Sequence, residues 1–456
     1  MSIWESLTEN VVGRLNAGRV MSEKEFFEAE IARWRCDEKR STMIDGERYF
    51  RGEHDILKAE RTAIGKDGKL KKVDNLPNNR IVDNQYQRLV NQKVNYLLGR
   101  EAVLDGESEA YIKLLKNALG ENWGRMLKCL LRDAINMGVA WLFVYADEDG
   151  KVAFKRIPAY EVIAYWKDDG HTLLDKAVRI YQVEGYKGKD ECVREMVEIY
   201  HSDRVEIFEW EEGVLRKCEE HTYFKEHGIP LVAFKYNEKE IPLIKRVKTL
   251  QDALNQTLSD FENNMQEDAR NTIIVLQNYD GTDLGEFRQN LAAYGAVKVK
   301  TVDGAAGDIK TLTTDFKAEN YSVIINLIKS SLIENAMGYD SKSDKLGNNP
   351  NQLVMKSMFS DLDLDMSEAE VEFRYSFNVL RKLLNEYFEI YGYGYFEEER
   401  ANIIFNRDCL INESEAIDNC IKSREILSEE SVLLQHPWVS DAKNEMKKRS
   451  GSSGER

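Results

Sequence analysis

Proline is scarce in this chain, 6 in 456 residues, and none falls between Lys245 and Asp340. Because proline breaks helix interiors, that stretch is free to form long helices. The six cysteines, Cys36, Cys129, Cys192, Cys218, Cys409 and Cys420, never stand at Cys-x-x-Cys spacing. That argues against a zinc ribbon or redox pair and predicts reduced thiols in an intracellular milieu. The six histidines show no His-Glu-x-x-His or other close pairing, so they read as surface or packing residues rather than metal ligands. No window approaches about 18 apolar residues and no basic leader precedes an apolar core, so neither a membrane span nor export is expected. Gly-x-Ser-x-Gly and Gly-x-Gly-x-x-Gly are missing. Gly65-Lys66-Asp67-Gly68-Lys69 lacks the spacer and the Ser/Thr of a phosphate loop and reads as a basic hairpin turn. Cationic excess is missing too: 64 basic against 80 acidic residues give a formal charge of −16. This argues against a protein that grips nucleic acid over a broad face, though not against one along which DNA slides.

What is present is a globular composition, 42% hydrophobic and 10% aromatic, in a chain long enough for roughly two to four domains. The N-terminal part reads as helical: Glu23 to Arg40 with Phe26, Phe27, Ile31 and Trp34, Arg80 to Leu98 with Tyr86, Val90, Val94 and Leu97, and Asn122 to Met137 ending at Gly138. From Val139 the period becomes β. Val139 to Ala146, a turn at Asp147 to Gly150 and Lys151 to Arg156 predict a hairpin. Lys176 to Gly185, Val193 to His201, Arg204 to Trp210 and Leu231 to Tyr236 continue it as an antiparallel meander. Asn351 to Tyr391 predicts one long or kinked helix stopped by Gly392 and Gly394. Glu413 to Lys448 is again helical, and Arg449 to Arg456 reads as a disordered polar tail. The fold class is α+β, mainly helical, without an internal repeat.

The most informative stretch is a helical hairpin interrupted by a small α/β insert. Its first arm, Ile244 to about Ala269, places Val247, Leu250, Leu254, Leu258, Phe261 and Met265 on one face. Its second, Phe316 to Met337, repeats the pattern with Tyr321, Ile324, Ile325, Ile328, Leu332 and Ala336, and Gly338 is placed to cap it. At ~1.5 Å per residue the arms span about 39 and 33 Å. Between them Thr272 to Leu276 reads as a strand, Leu284 to Tyr294 as a helix and Ala296 to Lys300 as a second strand. Helical bundles normally join neighbouring helices with a few residues, so an insert this large needs a reason.

One group of acids needs weighing. Asp361, Asp363, Asp365 and Glu372 fall at positions 1, 3, 5 and 12 of an EF-hand-like loop. Met366 stands where the sharp turn needs glycine, so a charged helix face is the preferred reading.

Short strings in order along the chain resemble the portal proteins of tailed bacteriophages, of siphovirus type: Tyr49-Phe50-Arg51-Gly52, Asn78-Asn79-Arg80-Ile81-Val82-Asp83-Asn84, Val94-Asn95-Tyr96-Leu97-Leu98-Gly99, His227-Gly228-Ile229-Pro230-Leu231-Val232, Ser259-Asp260-Phe261-Glu262, and Ile426-Leu427-Ser428-Glu429-Glu430-Ser431 before Pro437-Trp438-Val439-Ser440-Asp441. The resemblance covers about Glu23 to Lys448. Arg100-Glu101 departs from the Lys-Pro that many relatives carry there, which puts the local turn in doubt.

The resemblance implies a head-to-tail connector: a ring of roughly a dozen copies closed by heterologous contacts, with double-stranded DNA passing non-specifically through it. It implies an N-terminal arm at 1–22, a wing at 23–243, stem helices at 244–270 and 316–338, and an α/β clip at 271–315. A tunnel loop at 339–352, a long helix at 353–400, a helical crown at 401–448 and a tail at 449–456 complete it. It also implies docking of a terminase and later of a head-completion adaptor, contact with major capsid and scaffolding proteins, a place in the virion after assembly in host cytoplasm, no cofactor and no enzymatic activity. On that reading Lys342 and Lys345 of the tunnel loop form a ring of cations touching phosphates, since sparse cations let a duplex slip where many would hold it. Lys298 and Lys300, alternating with Val297 and Val299, offer a face to the bore or to a partner, or to solvent. The stem presents either Lys245, Arg246 and Lys248 or Asp260, Glu262 and Glu267 to DNA. Two alternatives stay open: a metal-dependent nuclease using the acids near Asp361, and a ring-forming adaptor that does not touch DNA.

Overall fold

A computed structural model of the chain describes residues 21–64, 69–72, 76–187, 190–222, 228–268, 273–277, 308–312, 318–340, 352–407, 413–439 and 442–452. In chain order the elements are α1 (Glu23–Arg35), α2 (Glu38–Phe50), a 3-10 turn (Asp55–Lys58), β1 (Thr62–Ile64), β2 (Leu70–Lys72), α3 (Gln85–Leu98), β3 (Val103–Gly106), α4 (Glu109–Leu119) and α5 (Trp123–Met137). Eight strands follow: β4 (Val139–Ala146), β5 (Val152–Ile157), β6 (Val162–Trp166), β7 (Leu174–Lys187), β8 (Asp190–Tyr200), β9 (Arg204–Glu211), β10 (Val214–Thr222) and β11 (Leu231–Lys235). The remainder is α6 (Ile244–Asp268), β12 (Ile273–Gln277), β13 (Asp308–Leu312), α7 (Ala318–Asn335), α8 (Gln352–Ile390), β14 (Ala401–Ile404), α9 (Glu413–Ser423), α10 (Glu429–Gln435) and α11 (Ala442–Ser452). The starts follow local chemistry. Ser22 and Glu25 form a reciprocal capping box on α1, and Asp37, Asn84 and Ser108 accept first-turn N–H groups of α2, α3 and α4. α11 runs to Ser452, so the first residues of the expected disordered tail are helical.

The chain divides into two units, residues 1–53, 84–248 and 332–456 in the first and 54–83 and 249–331 in the second. In the first unit the predicted hairpin forms, with Trp141 opposite Ile157 and Ala146 opposite Val152. The expected single meander is two sheets. One is five-stranded in the order β10-β9-β8-β7-β6, and the other is three-stranded in the order β11-β4-β5. β11 pairs with β4, Leu231 opposite Phe143, instead of continuing the meander. β6 and β10 escaped the pattern because one is short and the other exposes nearly every side chain. Phe27 and Ile31 of α1 pack with Val178, Val197, Ile199 and Phe208 on the large sheet. Met43, Met137, Trp141, Ile157 and Leu231 lie in a second core. α8 is one continuous helix of 39 residues within the predicted Asn351 to Tyr391; its Phe373 meets Phe234 of β11 edge to face, ring centroids 5.1 Å apart. Gly392 and Gly394, at φ 73° and 132°, end it as expected. β14 then pairs with β3.

The second unit holds the larger part of the interrupted hairpin. Residues 249–268 of α6 and 318–331 of α7 meet through Phe261 and Tyr321, centroids 5.2 Å apart, and Asn264 donates to the Tyr321 hydroxyl at 3.1 Å. The insert begins with β12, as predicted, but its described partner is β13, Ile273 opposite Leu312. The predicted helix Leu284 to Tyr294 and strand Ala296 to Lys300 lie outside the described residues, as does the turn of the β1–β2 hairpin.

The apolar face that the periodicity predicts on α6 is buried at Val247 and Leu254 and partly buried at Leu250, Leu258 and Phe261, but a polar row is buried beside it. Met265 is 50% exposed, whereas Gln251, Asn255, Ser259 and Asn263, spaced by four, are buried. They bind the extended segment 79–83. Asn79 N–H donates to Asn263 Oδ1 (2.7 Å), Ile81 N–H to Ser259 Oγ (2.9 Å) and Asp83 N–H to Asn255 Oδ1 (3.1 Å), while Gln251 Nε2 donates to the Asp83 carbonyl (2.8 Å). The spacings match: four helical residues rise about 6 Å and two extended ones about 6.6 Å, so a polar row repeating every four reads alternate amides of a strand. His54, buried here, completes the row by accepting from Asn255 Nδ2 (2.8 Å).

Asn255→Leu keeps the volume but removes partners from both His54 and the Asp83 amide. Each orphaned group costs about 1–3 kcal/mol, so the second unit should lose about 2–6 kcal/mol. Hydrogen exchange at the Asp83 amide, faster in the variant while β4 and β8 amides keep their protection, is the check.

Candidate functional site

Lys342 and Lys345, and likewise Lys298 and Lys300, lie outside the described residues. What is described is the mount on which segment 341–351 is carried, entirely within the first unit. α3 supplies it, because Leu89, Gln92, Lys93 and Tyr96, at i, i+3, i+4 and i+7, share one helix face. α7 ends in a Schellman-type turn whose left-handed residue is Met337, at φ 50°, rather than the expected Gly338. The Gly338 N–H closes the turn onto the Ile333 carbonyl at 2.9 Å. Glycine is needed at 338 for close approach: a Cβ there would stand 2.4 Å from the Leu89 side chain. Gln92 then holds Tyr339 at two points, accepting from its N–H (2.9 Å) and donating to its carbonyl (2.7 Å). The Tyr339 ring stacks on Phe359 of α8, centroids 4.4 Å apart, and Phe359 stacks on Tyr96 at 6.0 Å. Chain entering the segment and helix leaving it are thus fixed to the same face of α3.

Beneath this mount lies a buried charge cluster. Lys93, fully buried, donates to Asp365 Oδ2 of α8 at 2.7 Å and to the Met337 carbonyl at 3.3 Å. Tyr236, just past β11, donates its hydroxyl to the same Asp365 oxygen, and Arg246 at the start of α6 donates to Asp365 Oδ1 at 2.7 Å. Burial alone would raise the Asp365 pKa; Lys93, Tyr236 and Arg246 outweigh it and hold the carboxyl below the usual range. Burial pulls the Lys93 pKa down against the attraction of Asp365. Burial, then Asp365, pushes the Tyr236 hydroxyl well above its ordinary value, so it stays a donor.

The acids that match EF-hand spacing sit on continuous α8, so the loop reading is excluded. The expected solvated charged face is also incomplete, because Asp365 is buried. Asp363 takes Arg407, and it accepts from the Tyr96 hydroxyl at 2.5 Å; Arg407 also reaches Glu370 at 2.7 Å. Glu370 and Asp363 raise the Arg407 pKa above its usual value against the opposing effect of burial. Two of the carboxylates that a nuclease would give to a divalent cation, Asp363 and Asp365, are therefore committed to side chains of this chain, Asp361 is exposed on α8, and no group of residues placed to hold a metal occurs among the described residues. The basic set considered for DNA at the start of the first arm is likewise committed. Arg246 serves Asp365, Lys245 pairs with Glu38 at 3.1 Å, and Lys248 lies 4.9 Å over the Tyr49 ring. Sequence reasoning passed over Gln92 and Lys93. A signal for the latter was present, since Lys93 is the one charged residue between Leu89 and Leu98.

Comparison with known proteins places these features in a context. The family model described as "Phage portal protein, SPP1 Gp6-like" matches residues 35–450. The portal protein of Clostridium phage phiCD119 is 26% identical over 428 residues, 88% of this chain and 90% of that protein. The portal protein of Bacillus phage SPP1 is 23% identical over 422 residues, 89% of this chain and 82% of that protein. Among solved structures, a chain from the virion of a native gene transfer agent particle is similar at TM-score 0.44 and 11% identity, covering 77% of this chain and 89% of that one. Among the described residues no helix is long and apolar enough to cross a membrane.

Removing one member of a buried ion pair leaves an uncompensated charge and costs about 3–5 kcal/mol. Arg246 and Tyr236 still hold Asp365 when Lys93 is lost, so Lys93→Met should destabilise the first unit by at most about that amount, while Lys93→Met with Asp365→Leu should cost clearly less than the sum of the single changes. Chemical denaturation of the four proteins in the cycle gives the coupling; additive losses would show that the pair does not act as a unit.

Proposed function

Because the chain belongs to the SPP1 Gp6-like family of phage portal proteins, we propose that copies of it close into a ring of about a dozen through head-to-tail contacts, and that genome DNA enters and leaves the capsid through its centre. In this assignment residues 23–243 form the wing, 244–270 and 316–338 the stem, and 271–315 the clip offered to the terminase and later to a head-completion adaptor. Residues 339–352 form the tunnel loop, 353–400 the long helix returning to the wing, and 401–448 the crown, with major capsid and scaffolding proteins around the ring. The ring resides at one vertex of the virion after assembly in the host cytoplasm.

The observation that carries the reading is the absence of cations from the greater part of the first arm, the three at its start being engaged within the chain. From Thr249 to Asp268 there is no lysine or arginine. Lys329, the lysine of α7, is paired with Asp83 at 2.7 Å. A duplex carries one phosphate charge per ~1.7 Å, and each cation that engages a phosphate adds affinity that translocation must break. An uncharged-to-acidic wall avoids that hold. It leaves Asp260 and Glu262, not the lysines near 245, as charges of the stem, and gives Lys342 and Lys345 the task of touching phosphates without reading sequence. The clip face at Lys298 and Lys300 serves the bore or a docked partner. ATP hydrolysis belongs to the docked motor.

Lys342→Glu with Lys345→Glu should leave ring formation intact and reduce DNA packaging severalfold in an assay with heads and terminase. Unchanged packaging by intact variant rings would favour the adaptor that does not touch DNA.

A further inference from the structure

Resting on the ring reading, we infer that a cationic cleft in the first unit receives an aromatic and acidic segment, Tyr391 to Glu398, from the adjacent copy of this chain. The cleft, about 860 Å³, opens between the segment after α3, the end of α4 and the start of α5. Buried Leu119 and Leu127 line its depth, and Arg100, Lys116, Arg125 and Lys128 outnumber Glu101 and Glu121 around it. Among the described residues Lys116, Arg125 and Lys128 make no ion pair, although the chain as a whole has an acidic excess. A site of this chemistry takes an anionic segment with apolar side chains.

The segment after α8 has the complementary chemistry. Tyr393 and Tyr395 are 56% and 64% exposed, and Glu397 and Glu398 beside them are exposed. Their backbone is already held: Asn385 Nδ2 donates to the Phe396 carbonyl (3.0 Å), Arg381 Nη1 donates to the Glu399 carbonyl (2.5 Å), and Phe396 stacks on Tyr111, centroids 5.2 Å apart. Exposed tyrosines on a fixed backbone form contacts at low cost in ordering entropy.

The placement requires a second copy. Tyr111, at the start of α4, anchors the segment, whereas Leu119, at the end of the same helix, lines the cleft, a rise of about 12 Å away. β14 repeats the separation: Ala401, next to the segment, pairs with Gly106, while Ile404 pairs with Val103 of the cleft wall. Donor and acceptor surfaces at opposite ends of one layer do not meet within a chain, and between chains they give a heterologous contact of the kind that closes rings.

The test is charge reversal on both sides, read by mass photometry across a salt series. Glu397→Lys with Glu398→Lys, and separately Arg125→Glu with Lys128→Glu, should each weaken ring assembly on the order of tenfold, with unchanged circular dichroism; the fourfold variant should recover it. Tyr395→Cys with Glu121→Cys, in a background with Cys36 and Cys218 replaced by serine, should give an oxidised ladder of linked chains. Wild-type protein that makes no rings would overturn the ring reading and this contact with it. Wild-type rings with reversals that assemble normally, or without recovery in the fourfold variant and without linkage, would overturn the contact alone.

Discussion

The Asp365 carboxylate is where distant parts of the first unit meet. Its two oxygens accept from Lys93 on α3, Tyr236 after β11 and Arg246 at the start of α6, and Lys93 also binds the carbonyl of Met337 at the close of α7. Two cations and a neutral donor around one buried anion satisfy it fully, and in a low-dielectric interior a partly satisfied set would be costly. The consequence is geometric: α3, α8 and the chain end at 337–340 are fixed together, so the segment 341–351 leaves from and returns to one surface.

The second unit uses the opposite economy of charge. Beside Leu254, its helix α6 buries a row of amides and a hydroxyl, and these side chains occupy alternate amides of residues 79–83. Neutral polar groups perform most of this packing, and Lys329 of α7 adds an ion pair to Asp83 of the segment. The same composition leaves residues 249–268 without a cation to retard a polyanion.

Long periodic elements were legible in the sequence. Both arms, the 39-residue α8 and the β4–β5 hairpin stand where period and turn residues put them. Strand partners were less so: nothing local to Leu231 to Lys235 states that they lie beside β4 rather than β10. The polar row of α6 was missed because hydropathy weighs Gln251, Asn255 and Ser259 as outward, whereas their burial depends on a partner segment some 170 residues earlier in the chain. For the same reason the acids of α8 looked solvated. Asp365 is distinguishable from Asp361 only once Lys93 and Arg246 are in place.

The central claim is that this family member acts as a ring through which DNA moves, and the molar mass of the purified protein, by light scattering with negative-stain images of the same sample, tests it most directly. The account predicts rings of about twelve or thirteen subunits with a central opening wide enough for a duplex. A monomer or dimer that persists across concentration and salt, with scaffolding protein present, would contradict it.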